Sequence, residues 1–317
     1  PSLSKKYISI KTFKGKSVKR PNVKVRMSTH PNGINAWIQL EGKEDLFIQP
    51  VKGKKKVHFV YQKIKNDKAL DFYCKTILQT NQTKGERITQ KSTPVFSELR
   101  TFRIAIAGTA EYTNFWGDND FSNGSNAEDA FGAVVSSLNR ISQVFEDEVG
   151  VRLELVSDAS LMYEDAENDP FSEDVQAELQ ETLDEVLGDE AYDVGHLFDY
   201  GEPNGDAGCI GCVCQTNQKG QGFSTHPFED TYGGEFRNDY FDLDYAGHEI
   251  GHQFGAYHTF SFQNEGRGFN AEPGSGSTIM AYAGITVMDD VQLHGDPYFH
   301  YYSIQNIRNV VDQLSCG

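Results

Sequence analysis

Basic residues are scarce over most of this chain: residues 101–317 hold 7 Lys and Arg against 39 Asp and Glu, a net charge of −32. So acidic a body repels phosphate backbones and anionic lipid, which excludes nucleic acid and membrane surfaces as its partners. Long apolar runs are missing too. No stretch approaches the ~20 residues of a membrane helix, so no membrane partner is expected. The chain opens at Pro1 with neither a methionine nor a signal-like apolar segment, and a leader removed upstream of this numbering is expected. Cysteine is rare, five in 317 residues: Cys74 early, then Cys209, Cys212, Cys214 and Cys316. Four in one part fit two disulfides with three pairings open, and Cys316 is placed to fasten the C-terminus to a strand expected over Ile210–Cys214. Reduced, buried thiols are the other reading; secretion favours bonds.

What is abundant is divided unevenly. Residues 1–100 carry 22 Lys and Arg against 7 Asp and Glu, the reverse of the rest, and asymmetry of this kind marks separate modules. The apolar content, 38%, is ample for a sizeable core. Residues 1–80 read as β-rich, with strands expected at Tyr7–Ile10, Val23–Met27, Ala36–Leu40, Leu46–Ile48 and Val57–Tyr61. Residues 81–100 lie in a Thr/Gln/Lys/Gly-rich stretch with linker chemistry, where Lys84, Arg87 and Lys91 suit a trypsin-like cut. Residues 101–317 then alternate strand and helix. Strand 102–107 is followed by a helix capped by Ser125 and Glu128, strand Val151–Val156, a helix from about Ser172, and strand His196–Phe198. A helix from about Asp244 and a last one from about Ser303 complete the order.

The decisive passage is His248-Glu249-Ile250-Gly251-His252-Gln253-Phe254-Gly255-Ala256-Tyr257-His258. Positions i and i+4 share a helix face, so His248 and His252 can offer imidazole nitrogens to one ion. Gly255 can take the angles that end a helix and return His258 as a third ligand. Three imidazoles with one open position make a catalytic zinc site, and Glu249 lies beside them to take a proton from zinc-bound water.

This passage, with Ser277-Thr278-Ile279-Met280-Ala281-Tyr282 downstream, resembles the metzincin superfamily of zinc endopeptidases. The mature part is most similar to reprolysin/adamalysin-like secreted bacterial peptidases. Thr259 departs from the residue that follows the third histidine in astacins, serralysins and adamalysins. The resemblance implies a zincin-like α/β (α+β) catalytic domain over residues 101–317, with a twisted, mostly parallel sheet and an active-site helix. It further implies catalytic Zn²⁺ on His248, His252 and His258, Glu249 as general base, and Met280 as an apolar floor. Tyr282 resembles the tyrosine that in astacins and serralysins can add a phenolate ligand and swing away when substrate binds, and is the candidate oxyanion donor. By the same resemblance an extended substrate would lie antiparallel on the Ile210–Cys214 strand. The segment Gly284–His300 would shape the primed-side pocket, expected to be apolar. Protein or peptide substrates, a monomer and secretion are expected. Calcium is expected of so acidic a secreted enzyme, but at no particular residue; the loop Asp118–Gly124 lacks the glycine and glutamate of a calcium loop.

Thiolate is a strong zinc ligand, so Cys74 in a small basic prodomain (residues 1–80) is expected to block the ion in a latent form, as in a cysteine switch. The prodomain is then the chain's own inhibitor. Asp67 or Asp71 could serve in its place. Two other readings stay open: a catalytically dead, zinc-retaining binding module, or an N-terminal segment that is a mature polyanion-binding domain.

Overall fold

The computed structural model describes residues 3–54, 56–63, 72–76, 98–229 and 236–317. Lys84, Arg87, Lys91, Asp67 and Asp71 lie outside the described residues. After a short helix α1 (Leu3–Lys6), five strands form an antiparallel meander: β1 (Lys11–Lys16), β2 (Lys24–His30), β3 (Gly33–Gln39), β4 (Leu46–Pro50) and β5 (His58–Gln62). Four of the expected strands are close to these. Tyr7–Ile10 is not a strand; it follows α1 as a turn, with Tyr7 and Ile10 buried and the Tyr7 ring against Phe131. The true edge, β1, alternates no apolar residues because most of its side chains face water, so nothing in its sequence announces it.

The second sheet has six strands in the order β6-β10-β11-β9-β7-β8. Its centre is β7 (Arg100–Gly108), fully buried over Ile104–Ala107 and parallel to both β8 (Val151–Leu155) and β9 (Val194–Asp199). Such continuous apolar runs are the mark of a strand covered on both faces. β11 (Gly222–Thr225) continues parallel to β9, while β10 (Asn204–Asp206) runs antiparallel to β11. The outermost strand, β6 (Tyr73–Cys74), comes from the basic part and pairs parallel to β10. The sheet is therefore mixed and mostly parallel.

Helices α2 (Ala110–Trp116), α3 (Asn126–Val144), α4 (Val175–Val186), α5 (Gly247–Gln253) and α6 (Tyr301–Val311) complete the order. Ser125 and Glu128 form the capping box at the start of α3. Instead of a regular helix from Asp244, a π-helical stretch, Tyr240–Ala246, leads into α5. Ile210–Cys214 is not a strand. Gly208, Gly211 and Cys214 all take positive φ (73°, 76° and 65°), which coils this segment into turns, and the polar triplet Asn204–Asp206 forms the strand between β11 and β6 instead. Among the described residues no helix is long and apolar enough to cross a membrane.

The basic N-terminal part and the acidic remainder meet along α3, the turn that follows it and the π-helical stretch, with ion pairs across the contact. Lys14 and Lys24 pair with Glu146 and Asp147 at 2.7 and 2.6 Å, Arg26 joins Glu146, and Arg26 Nε donates to Gln143 Oε1 at 2.6 Å. Lys63 is buried with Nζ 3.3 Å from both Asp239 and Asp244. Packing is equally close: a Cβ on Gly132 would lie 2.7 Å from that of His30, so β2 reaches α3 only where a side chain is absent. Exposed pairs of this kind contribute little each, whereas breaking a buried one leaves a charge without a partner.

Candidate metal centre

Helix α5 puts His248, Glu249 and His252 in the interior, all at most 1% exposed. Gly255, at φ +106°, ends the turn, and its N–H returns to the His252 carbonyl at 2.8 Å. A Cβ there would meet Val310 at 2.4 Å, so this position needs glycine for both angle and space. The chain then brings His258 back, with its Nε2 3.0 Å from that of His252; the Nε2 of His248 is 3.1 Å away on the other side.

Each of the three rings is oriented by a partner on its other nitrogen. His248 Nδ1 faces the Ile279 carbonyl and His252 Nδ1 the Ala256 carbonyl, both at 2.7 Å, and His258 Nδ1 faces Glu265 Oε1 at 2.8 Å. A carbonyl accepts only, so the proton sits on Nδ1 and the Nε2 lone pairs converge. Burial, reinforced by His258, lowers the His248 pKa to about 3 and holds His252 well down, so neither ring carries a charge. Nitrogen lone pairs aimed at one point repel unless a cation lies among them. Cys74 completes the group: its Sγ is 3.8 Å from His252 Nε2, and the sulfur and one nitrogen from each of the three rings all lie within 4.8 Å of one another. Soft thiolate with imidazole is a donor set that suits zinc. Among the described residues no second cluster of this kind exists. In the loop Asp118–Gly124 the Asp118 and Asp120 carboxylates accept from the loop's own backbone.

Glu249 is fully buried. Burial pushes its carboxyl up to about 8, opposed by hydrogen bonds from Cys74 and Thr76. Its Oε2 accepts the Thr76 hydroxyl at 3.0 Å. Strand β10 passes so near that a Cβ on Gly205 would come within 2.7 Å of Glu249 Oε1. Met280, wholly buried, lies against Gly251, where a Cβ would be 2.5 Å from its sulfur. Tyr282 sets its ring edge-on to His258 at 4.7 Å, and burial together with Cys74 and Glu249 drives its phenol far above the ordinary range.

Several residues at the site had no signal in the sequence. Glu265 orients His258. Glu272, buried, accepts the Thr259 hydroxyl at 2.6 Å, the Thr278 hydroxyl, and the Ser277 and Thr278 N–H groups at 2.8 and 3.1 Å, tying the third histidine to the turn that carries Met280. His196, without an evident partner in the sequence, lies between Gln253 Oε1 and Ser224 Oγ, each at 2.9 Å, and anchors α5 to the sheet. His226 packs among Phe228, Phe236, Phe241 and Tyr245. His294 stacks on Tyr240 and His300 caps α6; neither joins the cluster. The four late cysteines pair as Cys209–Cys212 and Cys214–Cys316. The recess beside the cluster is not purely apolar: Asp244 lines it together with Tyr245, Ile279, Ile285 and Leu293.

The family model for the reprolysin-like metallopeptidases, M12B, matches residues 98–317. Among solved structures the chain is similar to metalloproteinase-II from Bacteroides fragilis, with 12% identity and a TM-score of 0.42 over 95% of this chain and 86% of that one. No curated protein matches it in sequence.

Proposed function

The chain belongs to the reprolysin-like metallopeptidases of family M12B and is a zinc metalloendopeptidase; on that premise we propose that it is a secreted zymogen whose own basic N-terminal module closes the site. His248, His252 and His258 hold the zinc ion, which when bound supplies Lewis acidity toward water and toward the scissile carbonyl. Glu249 moves the proton: its carboxylate takes one from the attacking water and returns it to the departing amine. The Tyr282 phenol donates to the oxyanion as it forms, and Met280 walls the site against Gly251. An extended substrate lies along the edge strand β10, antiparallel to it and pairing main chain to main chain.

In the intact chain that edge is taken. Strand β6 runs along β10 in the parallel sense, and the Lys75 N–H donates to the Gly205 carbonyl at 2.7 Å. Cys74 thereby lies among the three imidazoles, where its sulfur would hold the position a substrate needs. The observation that carries this reading is the single cluster formed by Cys74 with the three histidines. Cleavage within residues 81–100, at Lys84, Arg87 or Lys91, would release residues 1–80 and expose residues 101–317 as the active domain. Two disulfides support an oxidising compartment outside the cell. Proteins are the substrates, and the cleaved enzyme acts as a monomer.

Casein digestion with and without a chelator tests the reaction, using purified chain cleaved by limited trypsin. Glu249→Gln should keep its full zinc content and lose roughly 10²–10⁴-fold in turnover. Normal turnover in that variant removes Glu249 from the role of base.

A further inference from the structure

The N-terminal module supplies one wall of the recess beside the metal cluster, Phe72, and pairs a cation with the carboxylate that lines it. Phe72 places its ring edge-on to Tyr245 at 4.2 Å and toward His248 at 6.2 Å, against walls that include Ile279, Ile285 and Leu293. Among the residues lining this recess, Asp244 is the one carboxylate. Lys63 supplies its counter-charge, with Nζ 3.3 Å from Asp244 Oδ1 and the lysine side chain 2% exposed. One module therefore brings an apolar ring to the recess and a buried ammonium to its carboxylate.

Both would leave with residues 1–80. Asp239, the other partner of Lys63, stays within the field of Arg140, which belongs to the acidic body. For Asp244 the partners that remain among the described residues are the Gly295 N–H at 3.0 Å and the His294 ring, with Nδ1 at 3.5 Å, neither of them a permanent cation. A carboxylate enclosed by apolar walls and stripped of its cation is costly, so the emptied recess favours a ligand that restores the positive charge. A leucine or phenylalanine would fill the walls and leave the carboxylate dry, with only the Gly295 N–H and the His294 ring beside it. A glutamate would be repelled. Lysine and arginine satisfy both demands, because their stems are apolar and their heads charged.

We propose that in the cleaved enzyme this recess takes a lysine or arginine side chain of the substrate, the residue following the scissile bond, with its stem where Phe72 lies and its head at Asp244. This rests on the reading of the chain as a zymogen, and it makes the enzyme one that cuts before basic residues.

The test uses the full chain, folded whole, cleaved by limited trypsin and then treated with a trypsin inhibitor. Quenched peptides identical except for Arg, Lys, Leu, Phe or Glu after the scissile bond are compared. We expect kcat/KM for Arg and Lys to exceed that for Leu and Phe by about tenfold, and Asp244→Asn to erase most of that ratio. In parallel, fluorescence anisotropy measures binding of the Arg and Leu peptides to the zinc-loaded Glu249→Gln protein, a readout that needs no turnover. Equal or better handling of Leu or Phe by the wild-type enzyme overturns the proposal, whether or not Asp244→Asn folds. Should no peptide be cut while the Arg peptide still binds about tenfold tighter, the peptidase mechanism fails and this subsite stands.

Discussion

The Thr76 hydroxyl donates to Glu249 Oε2 at 3.0 Å while accepting the Ala207 N–H at 2.8 Å, so one residue of the basic module both ties down the buried carboxylate and clips onto the strand edge. Two residues earlier, Cys74 sits in the imidazole cluster. If the proposed latency resides in these two contacts, removing them should leak activity in proportion to their strength. A hydrogen bond of this kind contributes about 0.5–1.5 kcal/mol net, so Thr76→Val should raise the activity of the uncut chain several-fold. Cys74→Ala should raise it further, because a ligand at the metal is lost. A quenched-peptide assay, with gels proving the chain uncut, measures both. Unchanged latency in Cys74→Ala rules the thiol out as the block.

Glu265 accepts from His258 Nδ1 at 2.8 Å and orients the only histidine of the three that lies beyond the helix. Partners of this kind typically contribute 10–100-fold to metal affinity. Glu265→Ala should therefore weaken zinc binding by about that factor in competition with a chromophoric chelator, with the fold intact by circular dichroism. An affinity equal to wild type would mean that packing alone orients the ring.

Two buried groups give the stability a pH dependence with a defined sign. Burial raises Glu148 to about 7, and its carboxylate also accepts the Phe299 N–H at 2.5 Å. The folded state thus holds a proton that the unfolded chain releases near the ordinary carboxyl value, and stability falls as pH rises from about 4.5 through 7. His226 acts oppositely. Burial lowers it to about 3, so the unfolded chain takes up the proton first and stability falls as pH drops from about 6.5 toward 3. Glu148→Gln keeps an acceptor for Phe299 and should be more stable than wild type at pH 8 by about 2 kcal/mol, with little difference at pH 4. Urea titrations at the two pH values measure this. A variant that is less stable at pH 8 contradicts the sign.

The histidine cluster was legible because helical spacing makes neighbours of His248 and His252 whatever surrounds them, and Gly255 marks the turn that returns His258. Strands such as β7 were legible because burial on both faces leaves an unbroken apolar run. What could not be read depends on long-range contact. β1 and β10 are polar strands with no apolar run or alternation to announce them, and the Ile210–Cys214 segment has the composition of a strand but is coiled by left-handed turns at Gly211 and Cys214. Glu265, Glu272 and Thr76 are ordinary surface-type residues in sequence, and folding alone gives each its partner. Asp244 looked like a helix cap; it is the floor charge of a recess because the π-helical turn around it replaces the expected helix start.

The C-terminus offers a way to separate chain entropy from local contact. Cys214 and Cys316 are 102 residues apart, whereas Cys209 and Cys212 are separated by three. Closing a loop of ~100 residues constrains the unfolded chain by about 4.7 kcal/mol, and closing one of three residues by under about 2 kcal/mol. The tail is also held without the bond, since Arg100 donates to the carbonyls of Val311, Leu314 and Cys316. Those contacts survive reduction, but they act on the folded state and do nothing to restrict the unfolded one. Replacing Cys214 and Cys316 together by serine should therefore still lower unfolding free energy by about 2–4 kcal/mol, the tail remaining docked. The Cys209/Cys212 double serine variant should lose less than half as much. Denaturant titrations of both, at fixed zinc and pH, give the order. If the short loop proves the costlier to open, its bond stabilises the folded, coiled segment beside α5, where Gly211 and Val213 donate to the His252 and Gln253 carbonyls, rather than restricting the unfolded chain.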